Sequence, residues 1–299
     1  MPLFLLAVYL LLLLTKLIPT EGVDTVAKLF FTLIVLELLV FALPSFLFCK
    51  LKGADYIRTI PLNPFLPRRC FFLAAMTALL LSAGLLINAL LYYIGLGSAS
   101  YTSLGSFILS EISLEGNPLY VLLAYGAVPA LAEEFLFRGI VLTEYSKYSF
   151  PAAAIFSSVA YAFSYFDLPS FFFYFISGLI LAYVVRMTGS VFAAVLVRFV
   201  SNVASVYLMP SLWELLIQPL GVLFAAFLAV ALFFVFLFLA LRSTEKLYLS
   251  MAYDASHAAD ELPSGRTVRY NTLKILTAPS FLLCLFTYVL VSILRLVVG

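Results

Sequence analysis

Histidine is all but missing from this chain. His257 is the only one in 299 residues, and it falls in a polar stretch far from any pair of acids, where it reads as a surface residue. A metal centre built on several imidazoles is thereby excluded. Cysteine is almost as scarce: Cys49, Cys70 and Cys284 form no CxxC pair, which excludes a disulfide framework and a cysteine zinc site. Charge is thin too, at 11% of residues with a net of +2 and no dense basic stripe, so nucleic acid is excluded as a partner. Internal repeats and low-complexity runs are lacking. No basic segment precedes the apolar run Leu3 to Leu14 and no small-residue cleavage site follows it, so a retained first span is expected there in place of a cleaved signal.

What fills the chain instead is hydrocarbon. Hydrophobic residues make up 65% of it, and the mean hydropathy of +1.14 excludes a water-soluble domain. The 30 Phe and 18 Tyr suit lipid-facing surfaces and interfacial belts. An apolar core about 30 Å thick needs about 20 helical residues. Segments near that length fall at Leu3 to Ile18, Leu29 to Cys49, Cys70 to Ile94, Leu119 to Arg138, Pro151 to Phe166, Ser170 to Arg186, Ser190 to Leu208, Leu215 to Leu241 and Ser280 to Val297. The expected fold is all-α, a polytopic transmembrane bundle of about eight to nine spans. Its expected parts are N-terminal helices over 1–118, a core over 119–208, and C-terminal helices over 209–299 with a flexible loop at 242–278 around Pro263-Ser264-Gly265.

Loop charges set an expected orientation. Lys50, Lys52, Arg58, Arg68, Arg69, Lys147, Arg186, Arg242, Lys246, Arg266, Arg269 and Lys274 fall on one side, while Glu111, Glu115, Asp167 and Glu214 fall near opposite turns, with Lys16 and Lys28 beside the first turn as exceptions. The amino terminus is then cytoplasmic and the carboxyl terminus outside, in a cell membrane taken as bacterial.

Against this background the acids within the spans stand out, because charge at membrane depth is costly and is kept for function. Glu133 and Glu134 are adjacent in a hydrophobic helix, with Arg138 one turn on. Glu134 and Arg138, four apart, share a face and can form an ion pair; Glu133 points about 100° away, toward the bundle interior. Arg198 and Asn202 share a face, as do Tyr161 and Tyr165. A packing role, with each hydroxyl bonded to helix backbone or a Ser, is the plainer reading of the tyrosines. Glu37 is also intramembrane, with no partner fixed by the sequence.

Glu133-Glu134 with Arg138 resembles the EExxxR motif of the CAAX-protease and bacteriocin-processing (Abi) family of intramembrane endopeptidases. Downstream and in the same order, Ser157 to Tyr165 is similar to the family's FxxxH motif, and Gly178 followed by Thr188 to Asn202 is similar to its HxxxN motif. The likeness covers roughly Leu119 to Leu208. It implies that Glu133 is the catalytic carboxylate, and that Glu134, the two histidine positions and Asn202 form the metal- or water-binding cluster. This chain departs from the pattern at both imidazoles: Tyr161 and Tyr165 stand in the second motif and Arg198 in the third. A guanidinium has no lone pair to offer zinc, and a dication about 4 Å from it would cost roughly 8 kcal/mol at an effective dielectric of about 20. Glu133, Glu134, Arg138 and Arg198 sum to zero charge, so Arg198 is expected to take the metal's place and no zinc or other cofactor is expected.

The candidate site is therefore Glu133, Glu134, Arg138, Tyr165, Arg198 and Asn202. Three functions stay open. The chain hydrolyses peptide bonds of membrane-associated substrates with a carboxylate base; or it is a degenerate relative that binds a membrane-embedded peptide or protein without cutting it; or its charges form a proton-coupled or small-solute transport path.

Overall fold

A computed structural model describes residues 1–15, 26–95, 118–147, 149–254 and 265–298. His257, Glu111 and Glu115 lie outside these. Among the described residues every regular element is a helix, joined by short connections, with one isolated bridge between Leu62 and Ser190, so the all-α polytopic expectation is met. Five helices among the described residues are long and apolar enough to cross a membrane: Phe30–Lys52, Pro67–Tyr93, Pro118–Ser146, Phe171–Thr188 and Leu223–Leu247. A sixth span arises if Val191–Tyr207 and Met209–Leu215, bent by 48° where they meet, count as one. Shorter apolar helices at Leu3–Thr15, Phe150–Phe163 and Phe281–Leu294 coincide with the remaining expected segments. In chain order these are α1 (Leu3–Thr15), α2 (Phe30–Lys52), α3 (Pro67–Tyr93), α4 (Pro118–Ser146), α5 (Phe150–Phe163), α6 (Phe171–Thr188), α7 (Val191–Tyr207), α8 (Leu223–Leu247) and α9 (Phe281–Leu294).

The 242–278 stretch corrects the sequence reading. Residues 255–264 of that expected loop lie outside the described residues, but on either side of them the helix containing α8 runs on to Asp254 and a second helix occupies Gly265–Leu276. The reason is local: Glu245, Lys246 and Leu247 are good helix formers, and no Gly or Pro interrupts the chain between Arg242 and Asp254. The break falls earlier, at Gly221, whose φ of 77° and ψ of 166° leave the helical region and suit only glycine.

Burial sorts the helices into inner and outer. In α3, α4 and α6 56% of the apolar window is buried, against 17% in α8, so the first three form the interior and α8 faces outward. Two polar contacts pin short outer helices to this interior: the Tyr9 hydroxyl of α1 donates to the Ala160 carbonyl at 2.7 Å, and Tyr288 of α9 donates to the Asp167 carbonyl at 3.2 Å. Such bonds are the only outlet for a hydroxyl placed in hydrocarbon. At the α5–α6 crossing Gly178 is required, since a Cβ there would meet the Ser158 Cβ at 2.7 Å and its Cα at 2.8 Å.

Neither α2 nor α4 is a regular α-helix. Wider π turns occupy Leu38–Ala42, Leu122–Ala127 and Phe135–Val141, a form concentrated at functional sites. Prolines account for two of them: Pro44 and Pro129 follow the first and second, and each lacks the N–H that an α-helix would direct four residues back, to Val40 and Tyr125.

Candidate functional site

Five helices bring their polar side chains to one buried place. From α4 come Glu133, Glu134 and Arg138; from α2, Glu37; from the end of α5, Tyr161 and Tyr165; from α6, Tyr174; from α7, Arg198. Glu37, Glu133, Glu134, Arg138 and Arg198 are each at most 1% exposed. Arg198 therefore points into the bundle and away from lipid.

Its centre is the Tyr165 hydroxyl. It donates to Glu133 Oε2 at 2.9 Å and accepts from Arg198 Nη2 at 2.6 Å. With its one proton committed to Glu133, it can only accept from the Tyr161 hydroxyl 3.0 Å away, so Tyr161 is the donor in that pair. Arg198 Nη2 also lies 3.4 Å from Glu133 Oε2. The tyrosine hydroxyls thus bond to each other and to charged groups, not to backbone or Ser. Tyr165 is held in turn by Tyr174, whose ring stacks on it at 3.6 Å with an interplanar angle of 8°. Just after it, in the turn that follows α5, Phe166 is a buried non-glycine residue at φ 48°, a strained conformation.

Glu134 and Arg138 form the i,i+4 pair, with Nε to Oε2 at 3.1 Å. The π turn that begins at Phe135 separates them, and although they are close enough to attract, no guanidinium N–H is aimed at the carboxylate. The Arg138 guanidinium lies 4.4 Å from the centre of the Tyr161 ring, and that of Arg198 lies 5.3 Å from it. The two cations share one aromatic ring, whose electron-rich faces attract both.

Glu37 changes the charge count. Its carboxyl lies against that of Glu133, and neither of its oxygens has a donor while both groups are ionised. Three carboxyls now face two guanidiniums. The neutrality expected from four residues alone is therefore corrected to an excess of one acid, which one proton or one monovalent cation would offset. The sequence missed the pairing because Glu37 is on another helix, 96 positions from Glu133 by numbering, and only the packing of α2 on α4 joins them.

Asn202 is the site residue that stands apart. Its amide Nδ2 donates to the Tyr125 carbonyl at 3.0 Å, the carbonyl that Pro129 cannot reach. A side chain from α7 thus supplies a donor missing from α4. Similarly, Ser157 donates to the Phe137 carbonyl within a π turn at 2.8 Å. Neither Ser157 nor Tyr174 was singled out from sequence as a site residue; the prolines and aromatic spacing were visible, the helix crossings were not.

The donor set does not fit zinc. On the family resemblance the imidazole positions hold Tyr165 and Arg198, the first giving its proton to Glu133 and the second presenting only N–H groups. Among the described residues no group of three or more His, Cys, Asp or Glu side chains is arranged to hold a metal ion.

Fold and site together define a polytopic helical membrane protein with a buried carboxylate–guanidinium–tyrosine cluster. Within it, residues 115–204 match the family model of Type II CAAX prenyl endopeptidase Rce1-like proteins. That match bears out the resemblance to the CAAX-protease family over the stretch that carries the three motifs. No curated protein and no solved structure matches the chain.

Proposed function

We propose that the protein is a CAAX-protease-like membrane protein that holds a membrane-embedded peptide or protein partner without cleaving it. The observation that carries this reading is the seat of Arg198, hydrogen-bonded to Tyr165 at 2.6 Å and 3.4 Å from Glu133. A carboxylate base must take a proton from water. Here Glu133 Oε2 already accepts from Tyr165 and faces a guanidinium, so one of the base's two oxygens and its charge are engaged within the protein. The bundle and its buried polar centre remain, as a scaffold that can recognise a helix carrying its own polar groups.

The purified chain, incubated in detergent with a library of transmembrane peptides and read by mass spectrometry, should retain a subset of peptides intact. The double variant Arg198→His, Tyr165→His should acquire metal and cleave. Cleavage by the wild type that vanishes in Glu133→Ala would replace this reading with that of a working endopeptidase. Proton flux in proteoliposomes that requires Glu134 would replace it with a transport role.

A further inference from the structure

A second polar feature lies behind the carboxylate cluster. A cavity of about 250 Å³ opens where α4, α5 and α6 meet the connection between α2 and α3, and its wall includes Arg138, Arg186, Thr59, Ser146, Phe150 and Gly189 but no acid.

Its floor contains an unsatisfied cation. Arg138 is fully buried, yet Nη1 and Nη2 have no hydrogen-bond partner, and only Nε is near an anion, Glu134. Leaving charged donors unpaired in a dry interior is among the more expensive arrangements in a protein, and it marks a place for an acceptor from outside. Next to the wall residue Phe150, though not itself in the wall, Ser149 is a buried hydroxyl that makes no hydrogen bond and does not cap α5. That helix runs for 14 residues from Phe150, so its positive end faces the same region. At the rim the guanidinium of Arg186 lies 5.4 Å from the centre of the Phe150 ring. The nearby hydroxyls of Thr59 and Ser146 donate to the Tyr56 and Leu142 carbonyls, so they are not available as donors. The charged donor without a hydrogen-bond partner in the wall is the guanidinium of Arg138, and Thr143 adds a hydroxyl to the same wall.

We propose that this cavity binds a phosphate group, coordinated between Arg138 at its floor and Arg186 at its rim. Planar guanidinium forks match the oxygens of a tetrahedral oxyanion better than any other side chain does. A volume of about 250 Å³ is sufficient for a phosphate or a small headgroup. The phosphate comes from solution or from a lipid headgroup. This site is independent of whether the protein cleaves.

Removing Arg138 would strand Glu134, so the informative variant is Arg186→Ala, with Arg186→Lys as a charge-retaining control. In neutral detergent, sodium phosphate should raise the melting temperature of the wild type above that in sodium chloride of equal ionic strength. Arg186→Ala should weaken the apparent affinity roughly tenfold or more, the loss of one charge-assisted contact, and Arg186→Lys less. Native mass spectrometry after reconstitution with phosphatidic acid or phosphatidylcholine separates the sources. Retention of phosphatidic acid that depends on Arg186 assigns the site to a headgroup; a response to inorganic phosphate alone assigns it to a soluble anion. Absence of both responses, or equal responses in wild type and Arg186→Ala, would overturn the proposal.

Discussion

Asn202 and Pro129 answer one another across the α4–α7 contact. The proline withholds an N–H from the Tyr125 carbonyl, and the asparagine amide donates to that carbonyl at 3.0 Å. In hydrocarbon there is no water to substitute, so the pairing ties the position of α7, and with it Arg198 one turn earlier, to the irregular part of α4.

Changing Asn202 to Ala should therefore lower stability by about 1–3 kcal/mol, the cost of stranding a buried polar group. The isosteric Asn202→Asp distinguishes this from simple packing, because it keeps the shape but puts an acceptor against an acceptor. Thermal unfolding in detergent should show Asp at least as damaging as Ala; a near-neutral Asp variant would reduce Asn202 to a packing residue.

Arg198 and Glu133 make a buried pair whose halves are costly to separate. Arg198→Met should destabilise by about 3–5 kcal/mol, because it leaves Glu133 beside Glu37 with no facing cation. The double variant Arg198→Met, Glu133→Gln should regain most of that loss. Additive losses in the double-mutant cycle would mean that the two side chains act separately.

Much of this centre was legible beforehand, and the reasons are local. Glu134 and Arg138 are four apart on one helix, so their pairing follows from helical geometry alone. Arg198 could be assigned to a carboxylate because an unpaired guanidinium in hydrocarbon has few alternatives. Tyr161 and Tyr165 were placed on one face correctly, but their hydroxyl partners depend on α7 crossing at their level, which no single-helix pattern encodes. Glu37 was visible as an anomaly and its partner was not, since contact between α2 and α4 is a matter of packing. At 242–254 and 265–276 polarity does not mean irregularity; a polar helix keeps its hydrogen bonds and needs only residues that tolerate them.

Gly178 tests the closeness of α5 and α6. A methyl group there would meet Ser158 at 2.7–2.8 Å, at its Cα as well as its side chain. Gly178→Ala should cost about 1–3 kcal/mol by overpacking. Adding Ser158→Gly should restore part of that, since it removes the Cβ and Oγ contacts but not the one at Cα, whereas adding Ser158→Ala should restore little. Full tolerance of Gly178→Ala in thermal unfolding would mean that the helices can separate without loss.

Glu37 offers the sharpest check on the charge count. Three acids against two guanidiniums predict that Glu37→Gln, which removes the excess charge and supplies an amide donor to Glu133, leaves the melting temperature unchanged or raises it. Glu37→Ala, which removes the charge but leaves a void, should lower it. The same Gln substitution should also rescue part of the loss in Arg198→Met, where Glu133 would otherwise face a second acid with its cation gone. If Glu37→Gln instead destabilises the wild type and gives no rescue, Glu37 is bound as a carboxylate to some other group, and the excess of acid assigned to this site is wrong.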